Sequence, residues 1–359
     1  MADAAPGPGS IPDPDPDVDA AILTGLCSWL DAADPTASHT VTGHQAPAAG
    51  YSSRTLLVDL NRRDTEGVHP QRLVLKVAPA GSAIFDRYDF AMQTAVQEAA
   101  AAAGIPTAHP ATAEADPAWL GEPFMVMPFV EGQIFGEAPA LDRRLSKGDA
   151  EANAGFHGRF IDLMADINRL DWVTAGLDGV VPRRDNAAEL AYWRAYLGWY
   201  ADGEEIVPTL SAALEWCEAN RPDSEPSPSL LWGDVRIGNV IVDDDLVPQA
   251  VLDWEMATIG AAEHDLAWVL TLDATQEALM GRTVPGFADR DACVARYQER
   301  LGRPVRDLEW YEVLACIRSS AVMSRIAHLN DLRGEANYFP IADNPILDLL
   351  SERIRTVGA

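Results

Sequence analysis

Three polar residues within one short stretch carry the chemistry this sequence can do. In WGDVRIGNVIV, Asp234 and Asn239 stand five residues apart, and Asp253 follows nineteen residues after Asp234, in AVLDWE. A loop followed by a tight hairpin would bring all three side chains to one rim. Phosphoryl transfer from ATP to a hydroxyl needs this set of groups. One carboxylate accepts the hydroxyl proton, while a second carboxylate and an amide oxygen hold Mg2+ on the phosphates. Asp234 and Asn239 can also be read as loop caps, which Asp and Asn often are. Asp253 is harder to dismiss, because a lone acid at an apolar strand end is costly without a partner. As a glycosidase acid/base pair, Asp234 and Asp253 would leave Asn239 unexplained.

The elements that must position these residues follow from the apolar patterning. SLLW leads in, and NVIV and QAVLDW flank the turn DDDLVP, so residues 229–257 form a β interlude. Helical spacing surrounds it, over 149–170, 187–203, 208–220, 263–272, 289–301, 307–331 and 344–356. Earlier in the chain, AAILTGLCSWLDAA (20–33) has helical spacing. The segment 39–79 reads as strands, with RRDTEGVHPQ as a polar hairpin loop, and 84–103 as a long Ala-rich helix. FMVMPFVEG (124–132) is an apolar strand running into a turn. Residues 1–17, with five prolines among acids, have the composition of a disordered tail.

The chain has 359 residues, with 27 Lys and Arg against 55 Asp and Glu, a net charge of −28. That charge argues against a nucleic-acid binder, which needs a basic face, and disfavours an anionic membrane as partner. The four cysteines show no metal-ligand spacing and read as small buried hydrophobes of a reducing compartment. No basic segment followed by an apolar run opens the chain, and no stretch approaches the ~18 apolar residues of a membrane span. The expectation is a cytoplasmic protein.

The D-x-x-x-x-N spacing is that of a kinase catalytic loop. Together, WGDVRIGNVIV, AVLDWEMATIG and EHDLAW resemble the aminoglycoside phosphotransferase-like kinases. Within that family the resemblance is to the branch of the kinase-like domain fused to some acyl-CoA dehydrogenases, in which a Trp precedes Gly-Asp as Trp232 does here. GYSSRT (50–55), GIP (104–106), GEPFMVMPFVEG (121–132) and DNP (343–345) follow the same order. The resemblance implies an α+β, two-lobed protein-kinase-like fold. A small antiparallel N-lobe with one helix would span 18–132 and bind the nucleotide. A mainly helical C-lobe over 133–359 would hold the catalytic loop and the acceptor.

The resemblance also implies roles. Asp234 would be the base, and Asn239 and Asp253 the Mg2+ ligands. Arg236, where protein kinases carry a Lys, would neutralise the moving phosphoryl. Lys76, in LVLKV, would contact the ATP phosphates, and the turn holding Gly50, Ser52 and Ser53 would cover them. Met127 to Phe129 would pair with adenine through the backbone. By itself Lys76 would read as a sheet-edge lysine. Counted back from GIP, the position of the Glu that usually pairs with this lysine falls on or next to Gln93; Glu98 lies five residues on, ~140° around the helix, so only one of the two can face Lys76.

Arg318 and Arg325, seven apart, share one helix face. Either they pair with acidic neighbours, or they line the acceptor cleft and bind a carboxylate or phosphate there. The acidic charge favours instead a cationic acceptor such as an aminoglycoside. The function expected is that of an ATP- and Mg2+-dependent kinase, monomer or homodimer, acting on a small hydroxylated molecule such as a hydroxyacyl compound or an aminoglycoside. A nucleotide-binding pseudokinase is the alternative, against which the joint presence of Asp234, Asn239, Asp253 and Lys76 argues. No activation-loop sequence follows Asp253, which disfavours a protein substrate.

Overall fold

The computed structural model describes residues 16–47, 52–81, 83–136, 138–201, 207–333 and 345–357. The chain forms two compact units. One comprises Met1–Glu98, Ala108–Phe129 and Ile326–Tyr338, the other Ala99–Thr107, Val130–Arg325 and Phe339–Ala359. Antiparallel sheet characterises the N-terminal region and helix the C-terminal one, as an α+β chain requires.

In the first unit, α1 (Pro16–Ala33) precedes β1 (Ser38–Gln45), β2 (Arg54–Asp64) and β3 (Gly67–Val77). Then come α2 (Phe90–Ala102, of which the part to Glu98 is in this unit), β4 (Thr112–Glu114) and β5 (Phe124–Pro128). The five strands form one antiparallel sheet in the order β1-β2-β3-β5-β4. Side chains alternate across a strand, so Leu56, Val58, Leu60, Leu75, Val77, Phe124 and Val126 share a face and pack with Ile22, Leu23 and Leu26 of α1. Each such side chain contributes about 1.5–3 kcal/mol on burial. Asp19 fastens α1 to β2, accepting from Arg54 Nε at 3.0 Å.

Three expectations are corrected in this unit. The loop expected over 62–71 is mostly strand: β2 and β3 pair up to Asp64 and Gly67, and Asp64 closes the turn by accepting from the Glu66 and Gly67 N–H groups. The polar residues there belong to a solvated stretch of sheet. The helix expected from 84 starts at Phe90, because the Asp89 carboxylate caps it by accepting from the Met92 N–H at 2.9 Å. The first helix begins at Pro16, ahead of the expected start at 20. The rest of the expected acidic tail lies outside the described residues.

The second unit holds α3 (Arg143–Ser146), α4 (Ala150–Asn168), α5 (Asn186–Ala201) and α6 (Pro208–Ala219). The β interlude follows as β6 (Ser229–Leu231), β7 (Val240–Val242), β8 (Pro248–Val251) and β9 (Thr258–Gly260). After it come α7 (Glu263–Met280), α8 (Arg290–Leu301), α9 (Leu308–Arg333, of which the part to Arg325 is in this unit) and α10 (Pro345–Val357). The lead-in strand β6 pairs with β9, while β7 and β8 form their own hairpin. The helix expected over 263–272 runs on to Met280, where Gly281 at φ +62° caps it. Cys217, Cys293 and Cys316 are buried and free.

Helix α4 packs along α8. Arg296 and Arg300 reach Asp162 and Asp166 at 2.6 and 2.7 Å, and the Arg296 guanidinium lies where a Cβ on Gly158 would stand. One turn away His157 is buried, stacked on Phe287 with centroids 4.3 Å apart, and its Nδ1 accepts from the Ala288 N–H. Burial, with Arg296 nearby, pushes the His157 imidazole down to about 4; burial does the same to His264, to about 4. Unfolded histidine titrates near 6.5, so the unfolded chain takes up these protons first as the pH falls. Stability is therefore full above pH ~6.5 and declines by about 1.4 kcal/mol per pH unit for each histidine, down to about pH 4. Thermal melting should drop from pH 7.5 to pH 5, and His157→Asn should flatten that drop. An equal drop in the variant would count against His157.

Candidate active site

Strand β6 delivers the chain to Trp232 and Gly233, and Asp234 follows. Gly233 is at φ +90°, and a Cβ there would lie 2.3 Å from the Met256 carbonyl oxygen, so no other residue fits. The buried carboxylate of Asp265, in the first turn of α7, accepts from the Trp232 N–H at 2.9 Å and the Gly233 N–H at 3.0 Å. Asn168 of α4 donates to Asp265 at 2.8 Å and to the Leu230 carbonyl at 2.9 Å, and Tyr297 donates to Asn168 at 2.6 Å. Burial pushes the Asp265 carboxyl upward, against these hydrogen bonds, which favour the carboxylate. Asp265 is the anchor of the loop.

Asp234, Arg236 and Asn239 converge. Arg236 Nε and Asn239 Nδ2 donate to the same oxygen, Asp234 Oδ2, at 2.9 and 2.8 Å, and Asn239 Nδ2 also reaches the Asp234 carbonyl at 3.0 Å. A short 3-10 turn, Ile237–Asn239, makes the five-residue spacing close on itself. With its nitrogen so engaged, the Asn239 amide has its oxygen left for a cation. The β7–β8 hairpin brings the third residue alongside, since the Leu252 N–H donates to the Asn239 carbonyl at 2.8 Å and Asp253 comes next. Asp253 has φ +63°, a left-handed conformation that few residues adopt, and Asp is among those that tolerate it. Among the described residues no cluster of three or more His, Cys, Asp or Glu could hold a metal by itself. An amide and a carboxylate oxygen suit a hard cation whose other ligands come from phosphates and water.

In the first unit, Lys76 is half-buried on β3, the central strand, paired with Thr55 and Met125. The sheet-edge reading is therefore excluded. Lying between Leu75 and Val77, it projects from the face opposite α1. Ser52 is half-buried and Ser53 buried, just ahead of β2; Gly50 lies outside the described residues. Gln93 is buried on α2, whereas the Glu98 side chain is 69% exposed and paired with His109.

Within the expected Met127–Phe129 stretch, strand pairing decides which backbone groups face away from β3. The Ala78 N–H donates to Pro123 and the Phe129 N–H to Arg72, and the bonded pairs of an antiparallel ladder recur every second residue. Both backbone groups of Met127, and the Phe129 N–H, therefore point into β3. The Pro128 carbonyl points the other way, where β4 has already ended opposite Val126. Sequence reasoning could not single out Pro128 within the Met127–Phe129 stretch, because nothing local sets this parity.

Arg318 is also corrected. It is 2% exposed, lies between the Trp193 and Trp268 rings, and stands 3.7 Å from Glu189, so it does not bind a dissolved acceptor. Arg325 is buried with its guanidinium 4.6 Å from the ring centroid of Trp199, which is itself 41% exposed.

Residues 43–312 match the model of a phosphotransferase enzyme family, APH. Over 204 residues the chain is 28% identical to acyl-CoA dehydrogenase family member 11 of Gallus gallus, covering 55% of this chain and 25% of that protein. The chain thus spans about a quarter of the length of that curated relative. A Ralstonia eutropha structure classed with the aminoglycoside phosphotransferases superposes with a TM-score of 0.69 at 18% identity, covering 93% of this chain and 98% of that one. A spectinomycin phosphotransferase in complex with ADP and spectinomycin gives 0.53 at 10% identity, covering 92% and 98%. The fold is kinase-like. Among the described residues no helix is long and apolar enough to cross a membrane.

Proposed function

Because the chain belongs to the phosphotransferase enzyme family, we propose that it moves the γ-phosphoryl of ATP, with Mg2+, to a hydroxyl of a small molecule. The observation that carries this reading is the convergence of Arg236 and Asn239 on Asp234 Oδ2, which leaves the other carboxylate oxygen to take the hydroxyl proton. In this reading Asp234 accepts that proton as the oxygen bonds to phosphorus and ADP departs. Arg236 keeps the carboxylate oriented and brings positive charge to the site. Asn239 and Asp253 would hold Mg2+, which supplies charge neutralisation on the phosphates. Lys76 would bind the α- and β-phosphates, Ser52 and Ser53 would lie beside them, and the Pro128 carbonyl would accept from the adenine amine. Gln93 would steady Lys76 through a neutral hydrogen bond.

Two acceptor classes are supported by different features. The relatives' name favours a hydroxyacyl compound. The net charge of −28 favours a cationic aminoglycoside. ADP formation over a panel of both classes, with Mg2+, tests the function. Lys76→Met should raise the KM for ATP by about tenfold or more, the loss expected of a hydrogen bond to a charged group. Unchanged ATP kinetics in that variant would remove Lys76 from the site. Stabilisation by ATP and Mg2+ with no turnover on any acceptor would mark a pseudokinase instead.

A further inference from the structure

We propose that Arg318 is a positioning residue for the catalytic loop, setting the peptide plane that carries Asp234. The inference rests on the reading of Asp234 as the base. Three consecutive peptide units lead into Asp234. The N–H groups of the first two, at Trp232 and Gly233, are both taken by Asp265. The third joins Gly233 to Asp234, and its carbonyl oxygen accepts from Arg318 Nη2 at 3.3 Å. Beyond it, the Asp234 carbonyl accepts from Asn239 Nδ2. Glycine constrains its own dihedrals least, so the unit next to Gly233 is the one that most needs an outside hold.

The surroundings of Arg318 fit this role better than that of a simple ion pair. The guanidinium lies 4.9 Å from the Trp268 ring centroid and 5.6 Å from that of Trp193. Its Nε is 3.7 Å from Glu189 Oε1, an ion pair beyond hydrogen-bond length, and has no hydrogen-bond partner among the described residues. Glu189 takes its hydrogen bonds from Trp193 Nε1 at 2.7 Å and Arg184 Nη1 at 3.2 Å. Burial pushes the Glu189 carboxyl up, but Arg318, His264 and Arg184 outweigh it and hold the group below its usual range. Glu189 thus balances the charge of Arg318, while the directed hydrogen bond goes to the loop.

The test pairs Arg318→Met with Glu189→Gln, so that neither Arg318 nor Glu189 is left buried without the other, and adds Arg318→Lys, which keeps the charge. In the double variant kcat should fall about a hundredfold, the scale of an ångström-level misplacement. Both KM values should stay within about threefold, because binding groups are untouched. Hydrogen exchange over residues 230–240 should quicken about tenfold with α4 unchanged, as local opening requires. Arg318→Lys should melt near wild type yet lose about tenfold in kcat, since an ammonium lacks the planar fork. Faster exchange throughout with kcat intact, or no change in either, overturns the proposal. Should the wild-type chain transfer phosphoryl to nothing, the base reading fails, and exchange over 230–240 still decides whether Arg318 holds the loop.

Discussion

Asp234→Asn should lower kcat by about a thousandfold, within the range expected for removing a general base. The substitution keeps the shape of the side chain and an oxygen to face Arg236 Nε and Asn239 Nδ2, which now hold Oδ2 at 2.9 and 2.8 Å. What it removes is a group able to accept a proton from the acceptor hydroxyl. The melting temperature should therefore stay near that of the wild type, and the KM for ATP should change little, because Asp234 contributes to the transition state rather than to nucleotide affinity. Single-turnover measurement with the best acceptor of the panel separates the chemical step from product release. A kcat within tenfold of wild type would show that the proton leaves by another route, and Asp234 would lose its assigned role.

Asp265→Ala should damage both stability and activity. The carboxylate satisfies three donors in a buried setting: the N–H groups of Trp232 and Gly233 and the Asn168 side chain. Removing it strands those donors away from water, at about 1–3 kcal/mol each, so a loss on the order of 4 kcal/mol is expected after partial relaxation. Denaturant unfolding reads that loss directly. At a temperature where the variant is still folded, kcat should be at least about a hundredfold down, since the two peptide units before Asp234 no longer have a fixed direction. A variant that melted normally and turned over normally would mean the loop holds its own shape.

Much of the site was legible because its parts are close in sequence. Asp234 and Asn239 are joined by a 3-10 turn, and Asp253 is brought back by a hairpin between two short apolar strands. Such structure depends on neighbours along the chain, and residue type together with spacing reports it. Lys76 by itself read as a sheet-edge lysine and took its expected role only from the family resemblance; the strand order is what shows it on the central strand. The start of α2 was misplaced because the capping carboxylate of Asp89 outranks the apolar spacing upstream.

The amino-acid order by itself determined which oxygen donors exist, their separation, and the α+β succession of strands and helices. Tertiary structure decided what holds them. Asp265 reaches the loop from 32 residues away and Arg318 from 85, and no local periodicity encodes a contact at that range. Which backbone groups of residues 127–129 face outward was likewise set by the pairing of β5 with β3, since a shift of one residue in an antiparallel ladder exchanges its inward and outward groups.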